Sequence, residues 1–159
     1  MNFKIWCLFS CCALWHIDAS SSTEFDVGYD SRYISEGRNN LPEDGIVWAS
    51  LSHDLDDNLT VGSAYGVATK KSANYDELNL SISYQNSINE LTYSFSYTRL
   101  EFFDDGESDN EFGLDMSWEK FDEFTPFAYL VYSTEAGGSF ASVGVESNYE
   151  LSEIVNISP

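Results

Sequence analysis

Cysteine, basic residues and long hydrophobic runs are all scarce in this sequence. The three cysteines fall together in the segment Cys7–Cys12, so a chain that loses its N-terminus on export has no disulfide, cysteine metal site or cysteine nucleophile. Only 7 Lys and Arg accompany 27 Asp and Glu, and without surplus positive charge the chain has no electrostatic means of binding nucleic acid. Beyond the N-terminus, no apolar run approaches the roughly 20 residues of a membrane-spanning helix.

The first residues have the features of a secretory signal peptide. Lys4 supplies the positive charge, Ile5–Trp15 forms the apolar run, and Ala19 is a small residue suited to cleavage. We therefore expect a signal peptide over residues 1–19 and one exported domain over residues 20–159. A lipoprotein signal ending at Cys11 is the alternative.

What the chain has in abundance is alternation of apolar and polar residues. Its 43% hydrophobic and 16% aromatic residues are too many for a disordered acidic chain. Four segments alternate almost strictly, and since side chains alternate faces only in an extended strand, each segment predicts a β-strand. They are Leu59–Val67, Leu78–Gln85, Leu91–Thr98 and Phe112–Glu119. Weaker runs predict four more strands, at Phe25–Tyr33, Ile46–Leu55, Phe127–Ser133 and Ala141–Leu151.

The connections between these strands mostly alternate between short and long. The short ones are Asp56–Asn58, Asn86–Glu90 and Lys120–Glu123, and the long ones are Ser35–Gly45, Thr69–Glu77 and Glu101–Glu111. This spacing predicts antiparallel hairpins, with the tight turns at one end of the sheet and the long loops at the other.

The composition of the two strand faces favours a membrane protein. One face is apolar and carries aromatic residues near the expected strand ends, namely Tyr65, Tyr84, Tyr97, Phe112 and Trp118, as in the aromatic belts of outer-membrane barrels. The other face is mostly Gly, Ser, Thr, Asn and Ala rather than the charged residues typical of a water-exposed sheet. We predict an all-β fold, an antiparallel up-and-down transmembrane β-barrel of eight visible strands in the cell outer membrane, with its long loops outside. The alternative is a soluble exported β-sandwich.

The segment Asp26–Leu55 resembles the start of the TorF-like family of porins, small Gram-negative outer-membrane proteins with no established substrate. In that family an opening strand of the form V-G-x-x-S-x-Y precedes a loop with glycine and a second strand with tryptophan. The matching residues here are Val27, Gly28, Ser31, Tyr33, Gly37 and Trp48. The resemblance implies an outer-membrane porin and supplies no catalytic residue.

The C-terminus lacks the final strand with a terminal aromatic residue that outer-membrane assembly normally recognises. Glu153–Pro159 instead parallels Phe121–Pro126, where a turn ends in the proline that opens a strand. We therefore expect a C-terminally truncated barrel that has roughly ten or twelve strands when complete.

Acidic residues on the polar face are the predicted functional residues. By strand alternation they point into the lumen, most of them towards the periplasmic end: Asp26, Asp30, Asp54, Asp115, Glu119, Glu146 and Glu150. In a water-filled lumen such carboxylates favour cations over anions. This predicts a porin or channel for small solutes that prefers cations. The alternative is a lumen too narrow to conduct, in a structural or surface-interaction barrel.

The remaining polar residues predict no covalent chemistry. His53 and Asp54 are neighbours in a strand and point to opposite faces, so they cannot act together as a base and its orienting partner. The acidic loop Glu101–Glu111 lacks the spacing of an EF-hand, which leaves loose binding of divalent ions as the alternative to a solvated loop. We assign no catalytic residue, cofactor or metal site. The expected partners are the barrel-assembly machinery, small solutes or ions, and outer-membrane lipids and lipopolysaccharide, whose phosphates could pair with Arg38, Lys70, Lys71 and Arg99.

Overall fold

A computed structural model describes residues 21–41, 44–70, 74–121, 123–147, 149–152 and 155–157. The predicted signal peptide over residues 1–19 and the strand start expected at Pro159 lie outside these residues. Among the described residues, no helix is long and apolar enough to cross a membrane.

The described chain is all-β, and each of the eight predicted strands is present. In chain order the strands are β1 (Thr23–Asp30), β2 (Ile34–Ser35), β3 (Arg38–Asn39), β4 (Ile46–Asp54), β5 (Leu59–Ala68), β6 (Asp76–Ile88), β7 (Leu91–Phe102), β8 (Glu107–Trp118), β9 (Thr125–Ser133), β10 (Gly138–Glu146), β11 (Tyr149–Ser152) and β12 (Val155–Ile157). The short strands β2, β3, β11 and β12 were not expected from the sequence.

The eight long strands form one antiparallel sheet in which each strand pairs with the next along the chain. Its order is β1-β4-β5-β6-β7-β8-β9-β10, the up-and-down arrangement that the alternating connections predict. The sheet is not closed, because β1 and β10 are not paired with each other within the described residues.

Several predicted boundaries were wrong, most clearly at the eighth strand and at the turn between β7 and β8. The eighth strand, expected to run to Leu151, ends at Glu146, and Tyr149–Ser152 pairs with Val155–Ile157 in a separate two-stranded sheet. The long loop expected over Glu101–Glu111 is a tight turn, since β7 continues to Phe102 and β8 begins at Glu107. Backbone pairing continues there because it does not depend on apolar side chains, and Gly106 makes the turn with a positive φ of 68°.

Strand register places most of the apolar residues on one face of the sheet, here called the apolar face. One row across five consecutive strands consists of Val61, Ile82, Tyr97, Phe112 and Tyr132, each directly opposite the next. Much of this face is exposed, with 41% of Ile82, 54% of Phe95 and 52% of Phe112 accessible to solvent. No second layer covers these side chains within the described residues.

The opposite face, here called the polar face, carries small polar residues and also several large aromatic ones. Trp48, Phe127, Tyr129 and Phe140 share the parity of its small residues. Glycines make room for them: Trp48 lies opposite Gly28 on one neighbouring strand and Gly66 on the other. A Cβ built on Gly66 would lie 2.5 Å from Cζ3 of Trp48, so only glycine fits at position 66 beside this indole.

The sheet curls towards its polar face. The connection between β1 and β4, here called loop 1 (residues 31–45), starts at one edge of the sheet, yet a Cβ on its Gly37 would lie 3.6 Å from the ring of Phe140 in β10 at the other edge. In a flat sheet β4 and β10 would be about 29 Å apart, at roughly 4.8 Å per strand. Curvature therefore brings strands that are distant in the sheet order around one shared interior.

Candidate functional site: an acidic cavity beneath loop 1

Loop 1 contains a small hairpin that lies over the long-loop end of the polar face. Its strands β2 and β3 pair Ile34 with Asn39 and Ser35 with Arg38. The two residues between them, Glu36 and Gly37, both have positive φ, at 51° and 72°, the backbone of the tight turn that suits a two-residue hairpin. The tight turn of this hairpin therefore holds Glu36 in a defined position.

Tyr33 attaches this loop to the sheet. Its hydroxyl donates a hydrogen bond of 2.9 Å to Oε2 of Glu77 in β6, and its ring meets Trp48 in β4 edge-on at 5.4 Å between centroids. A buried hydrogen bond to a carboxylate is among the stronger ones in proteins, contributing about 1.5–3 kcal/mol. Loop 1 is thus held against two strands by a single side chain.

Glu77 is the central residue of the site. Only 1% of it is exposed, and its Oε2 also accepts a 2.5 Å hydrogen bond from the hydroxyl of Tyr75. Its second oxygen, Oε1, is buried without a hydrogen-bond partner in the described part of the chain. Since a buried carboxylate is costly unless both oxygens are satisfied, this atom requires an explanation.

The two tyrosines that bind Glu77 remain donors across the physiological pH range. Burial, followed by the Glu77 carboxylate, raises the pKa of the Tyr33 phenol above its usual value. Burial and the hydrogen bond to Glu77 raise the pKa of Tyr75 in the same direction. Both phenols therefore stay protonated and continue to donate to Oε2, and Oε1 is the oxygen of Glu77 that has no donor among the described residues.

Around these residues lies an acidic cavity of about 480 Å³ between loop 1 and the sheet. Seven carboxylates line it: Glu36, Glu77, Asp105, Glu107, Asp109, Glu111 and Glu135. The carboxyl groups of Glu36 and Glu111 approach each other closely across it. The one basic residue in the lining, Arg38, is paired with Glu36 at 3.0 Å. The cavity is strongly negative, and low-dielectric walls concentrate such a field on its interior.

A second attachment, here called the Asp44 clasp, holds the far end of loop 1. Asp44, which is 8% exposed, accepts hydrogen bonds from the hydroxyl of Thr69 at 2.5 Å and from the backbone N–H groups of Lys70 at 2.6 Å and Gly45 at 2.8 Å. Burial alone would raise the pKa of Asp44, but these three donors outweigh it and lower the pKa below its usual value. The carboxylate therefore ties loop 1 to the next long loop.

The structure brings together only some of the acidic residues predicted from the sequence. Asp115 and Glu146 line a second cavity of about 210 Å³ on the polar face, together with Gln85 and Ser94. Asp54 accepts hydrogen bonds from the hydroxyls of Ser22 and Thr60. The others lie apart from that cavity: Asp26 and Asp30 are exposed in β1, Glu119 follows β8, and Glu150 lies in β11, outside the eight-stranded sheet.

Two of the basic residues expected to pair with lipid phosphates, Arg38 and Arg99, form ion pairs within the protein. Arg38 lines the acidic cavity, and Arg99 bonds to Glu101 at 2.8 Å and to Asn110 at 3.2 Å. Lys70 lies beside the Asp44 clasp, and Lys71 lies outside the described residues.

His53 hydrogen bonds through Nδ1 to the Thr23 hydroxyl at 2.8 Å, while Asp54 bonds elsewhere.

The donor set at the acidic cavity does not resemble a metal centre. Over the described ranges, no three His, Cys, Asp or Glu side chains are grouped closely enough to hold a metal ion.

No family model, curated protein or solved structure matches this chain. Membership of the TorF-like family stays a prediction, although three of the residues behind that resemblance, Tyr33, Gly37 and Trp48, all belong to loop 1 or its attachment.

The Tyr33–Glu77–Tyr75 group was not predicted from the sequence. Glu77 was assigned to a loop, whereas it lies in β6 with the same parity as Asn79 and Ser81. Extending the predicted strand by one residue at its start places Glu77 on the polar face. Its contact with Tyr33, across 44 residues of sequence, had no signal in the sequence.

Proposed function

We propose that this protein is an outer-membrane β-barrel that provides a passage for small solutes and prefers cations. The observation that carries the proposal is the division of one curled antiparallel sheet into an exposed apolar face and a polar face lined with carboxylates. In this reading the apolar face contacts outer-membrane lipid and the acidic cavity lies at the outer mouth of the passage.

Lipid is the environment that best accounts for the apolar face. Soluble monomers rarely expose a continuous apolar patch larger than a few hundred Å², and here such side chains cover consecutive strands from Phe25 in β1 to Val143 in β10. A lipid-facing surface needs no covering layer, since the hydrocarbon itself removes the side chains from water. A soluble sandwich would need a second sheet against this face.

In lipid, the backbone N–H and C=O groups of the edge strands must also be hydrogen-bonded. Each unpaired N–H or C=O in the hydrocarbon costs several kcal/mol, so the free edges of β1 and β10 are paired in the proposed membrane form, with each other or through further strands. Gly37 in loop 1, which follows β1, lies beside Phe140 in β10, and this proximity supports an approach of the two edges.

Cation preference is supported by the charge of the polar face. The acidic cavity has seven carboxylates against one arginine, and the second cavity adds Asp115 and Glu146. Rings of carboxylates raise the local concentration of cations and exclude anions by several kT. Export, insertion by the assembly machinery and contact with lipopolysaccharide belong to the same proposal.

The test is single-channel recording of the purified, refolded protein in planar bilayers under a KCl gradient. We expect discrete conductance steps and a reversal potential displaced towards that of K⁺. Heat-dependent mobility on gels and fractionation with outer membranes should accompany them. A reversal potential displaced towards Cl⁻ contradicts cation preference, and recovery in the soluble periplasmic fraction contradicts the barrel.

A second candidate is a barrel that conducts nothing and serves as a scaffold or surface-interaction protein. The observation in its favour is that Trp48, Phe127 and Tyr129 project onto the polar face, where they narrow the interior. Correct membrane insertion without conductance steps would select this candidate over the channel.

A further inference from the structure

The buried carboxylate of Glu77 is only half satisfied. Tyr33 and Tyr75 both donate to Oε2, whereas Oε1 has no partner within the described residues although Glu77 lines the acidic cavity. The nearest basic lining residue, Arg38, is already paired with Glu36. Burying a charged oxygen without a hydrogen-bond donor costs free energy unless a ligand supplies that donor.

Three aromatic rings lie in the part of the cavity that contains Glu77. Tyr33, Tyr75 and Phe102 line the same cavity as Glu77. The Tyr33 and Tyr75 rings lie 5.9 Å apart between centroids, and the Tyr75 and Phe102 rings lie 6.2 Å apart. Ring faces attract ammonium groups, and this attraction strengthens where water is excluded. A carboxylate oxygen beside several rings is a recognised arrangement for binding an organic cation rather than a bare metal ion.

We propose that this corner of the acidic cavity binds the ammonium group of a small aliphatic amine, with a diamine or polyamine as the ligand class. One N–H of the ammonium donates to Oε1 of Glu77, and the methylene chain lies against Tyr75 and Phe102. A second ammonium reaches the carboxylate of Glu111, which lines the same cavity. This inference rests on the proposed cation passage and names its preferred solute class.

The shape and charge of the cavity suit an amine better than a divalent metal. A metal ion needs several carboxylate oxygens converging on one point, and the described residues contain no such group of three. An ammonium needs only one or two acceptors and a ring face. The volume of about 480 Å³ lies within the usual range of small-molecule sites, about 300–1,000 Å³.

The experiment is a titration of the refolded, detergent-solubilised protein with 1,4-diaminobutane, followed by calorimetry and by tryptophan fluorescence, since Trp48 contacts Tyr33. The neutral control ligand is 1,4-butanediol, which has the same chain and no charge. We expect the diamine to bind and the diol to bind at least about 10-fold more weakly, since bonds to a charged partner are roughly twice as strong as neutral ones. Equal binding of the two overturns the inference.

Two variants locate the site. Glu77→Gln keeps an acceptor for the tyrosines but removes the charge, and we expect about 10-fold weaker diamine binding. Its matched control is Glu90→Gln, an exposed carboxylate between β6 and β7 that does not line the cavity, for which we expect less than about 3-fold change because exposed charges are well screened. Phe102→Leu should weaken binding about 2- to 5-fold through the lost ring face. Equal effects of the two Glu→Gln variants contradict the assignment to Glu77.

The experiments still decide the question if one variant does not fold or if the protein does not conduct ions. Should Glu77→Gln not fold, as judged by heat-dependent mobility, the diamine and diol comparison and Phe102→Leu still decide the question. Binding is measured at equilibrium without current, so diamine binding in a non-conducting barrel would remove only the proposed function. Conductance without diamine binding would remove only this inference.

Discussion

Trp48 lies between two glycines on neighbouring strands. We predict that replacing one of them by alanine destabilises the protein and that replacing the other stabilises it. Gly28 and Gly66 flank Trp48 on neighbouring strands, in direct register on either side of it. Replacing each by alanine adds one methyl group at a position directly opposite Trp48 in the register. The structure distinguishes them because only one of the two positions has room for that methyl.

At Gly66 the added Cβ would lie 2.5 Å from Cζ3 and 2.7 Å from Cε3 of Trp48. The indole is rigid, and Gly66 is buried, so either the ring or the strand must move. Overpacking of this kind costs about 1–3 kcal/mol, which exceeds the gain of about 0.5–1 kcal/mol that alanine brings by restricting the unfolded chain. We expect Gly66→Ala to destabilise the protein by about 1–2 kcal/mol.

At Gly28 the nearest atom to an added Cβ is Oδ2 of Asp26, at 3.9 Å, an ordinary contact. Only the gain from restricting the unfolded chain remains, and we expect Gly28→Ala to be stabilising by about 0.5 kcal/mol. The measurement is urea unfolding of each protein refolded into lipid vesicles, followed by tryptophan fluorescence.

A double variant tests the mechanism. Gly66→Ala combined with Trp48→Leu should be less destabilised than the sum of the two single changes, because leucine leaves space for the new methyl. The reasoning is refuted if Gly66→Ala and Gly28→Ala shift stability equally, or if the double variant is strictly additive.

Three further predictions concern the apolar face and the two attachments of loop 1. Ile82→Arg, in the middle of the apolar face, should cost about 2–4 kcal/mol in urea unfolding from vesicles, with Ile82→Leu as the nearly neutral control; a harmless arginine would mean that this face contacts water. Because the folded-state pKa of Asp44 is lowered, the Asp44 clasp keeps its full stability above about pH 4 and loses it as the pH falls through that lowered value. Hydrogen-exchange protection of the Lys70 and Gly45 amides should follow this course, and Asp44→Asn should abolish its dependence on pH. Tyr33→Phe should lower the unfolding free energy by about 1.5–3 kcal/mol and speed proteolysis in loop 1, whereas Tyr93→Phe, which loses no hydrogen bond among the described residues, should do neither.

The strands of this protein were predictable because their signal is local. Leu59–Val67 and Phe112–Glu119 alternate residue by residue, and backbone geometry converts that period directly into two faces. The prediction failed where the alternation of apolar and polar residues stops although the strand continues. After Tyr97 the next residues on the apolar face of β7 are the polar Arg99 and Glu101, so the alternating pattern ends, while the backbone pairing of β7 with β8 continues to Phe102.

The interior was less predictable for a different reason. Trp48 and Phe127 are large hydrophobes on the polar face, and their tolerance depends on glycines in neighbouring strands, Gly66 and Gly144. Which glycine lies beside which ring is a matter of register, and register depends on every hairpin at once. The acidic cavity depends on contacts across the curled sheet, which no local pattern encodes.

The neighbour-to-neighbour order of the sheet has a consequence for the sequence of folding events. Each long strand pairs with the next one along the chain, so hairpins can form one after another with short loop closures and little entropic cost. The hydrogen bond from Tyr33 to Glu77 spans 44 residues and cannot form until β4, β5 and β6 have assembled between its two ends. Loop 1 therefore docks late, and a closed acidic cavity marks a chain whose strands are already in register.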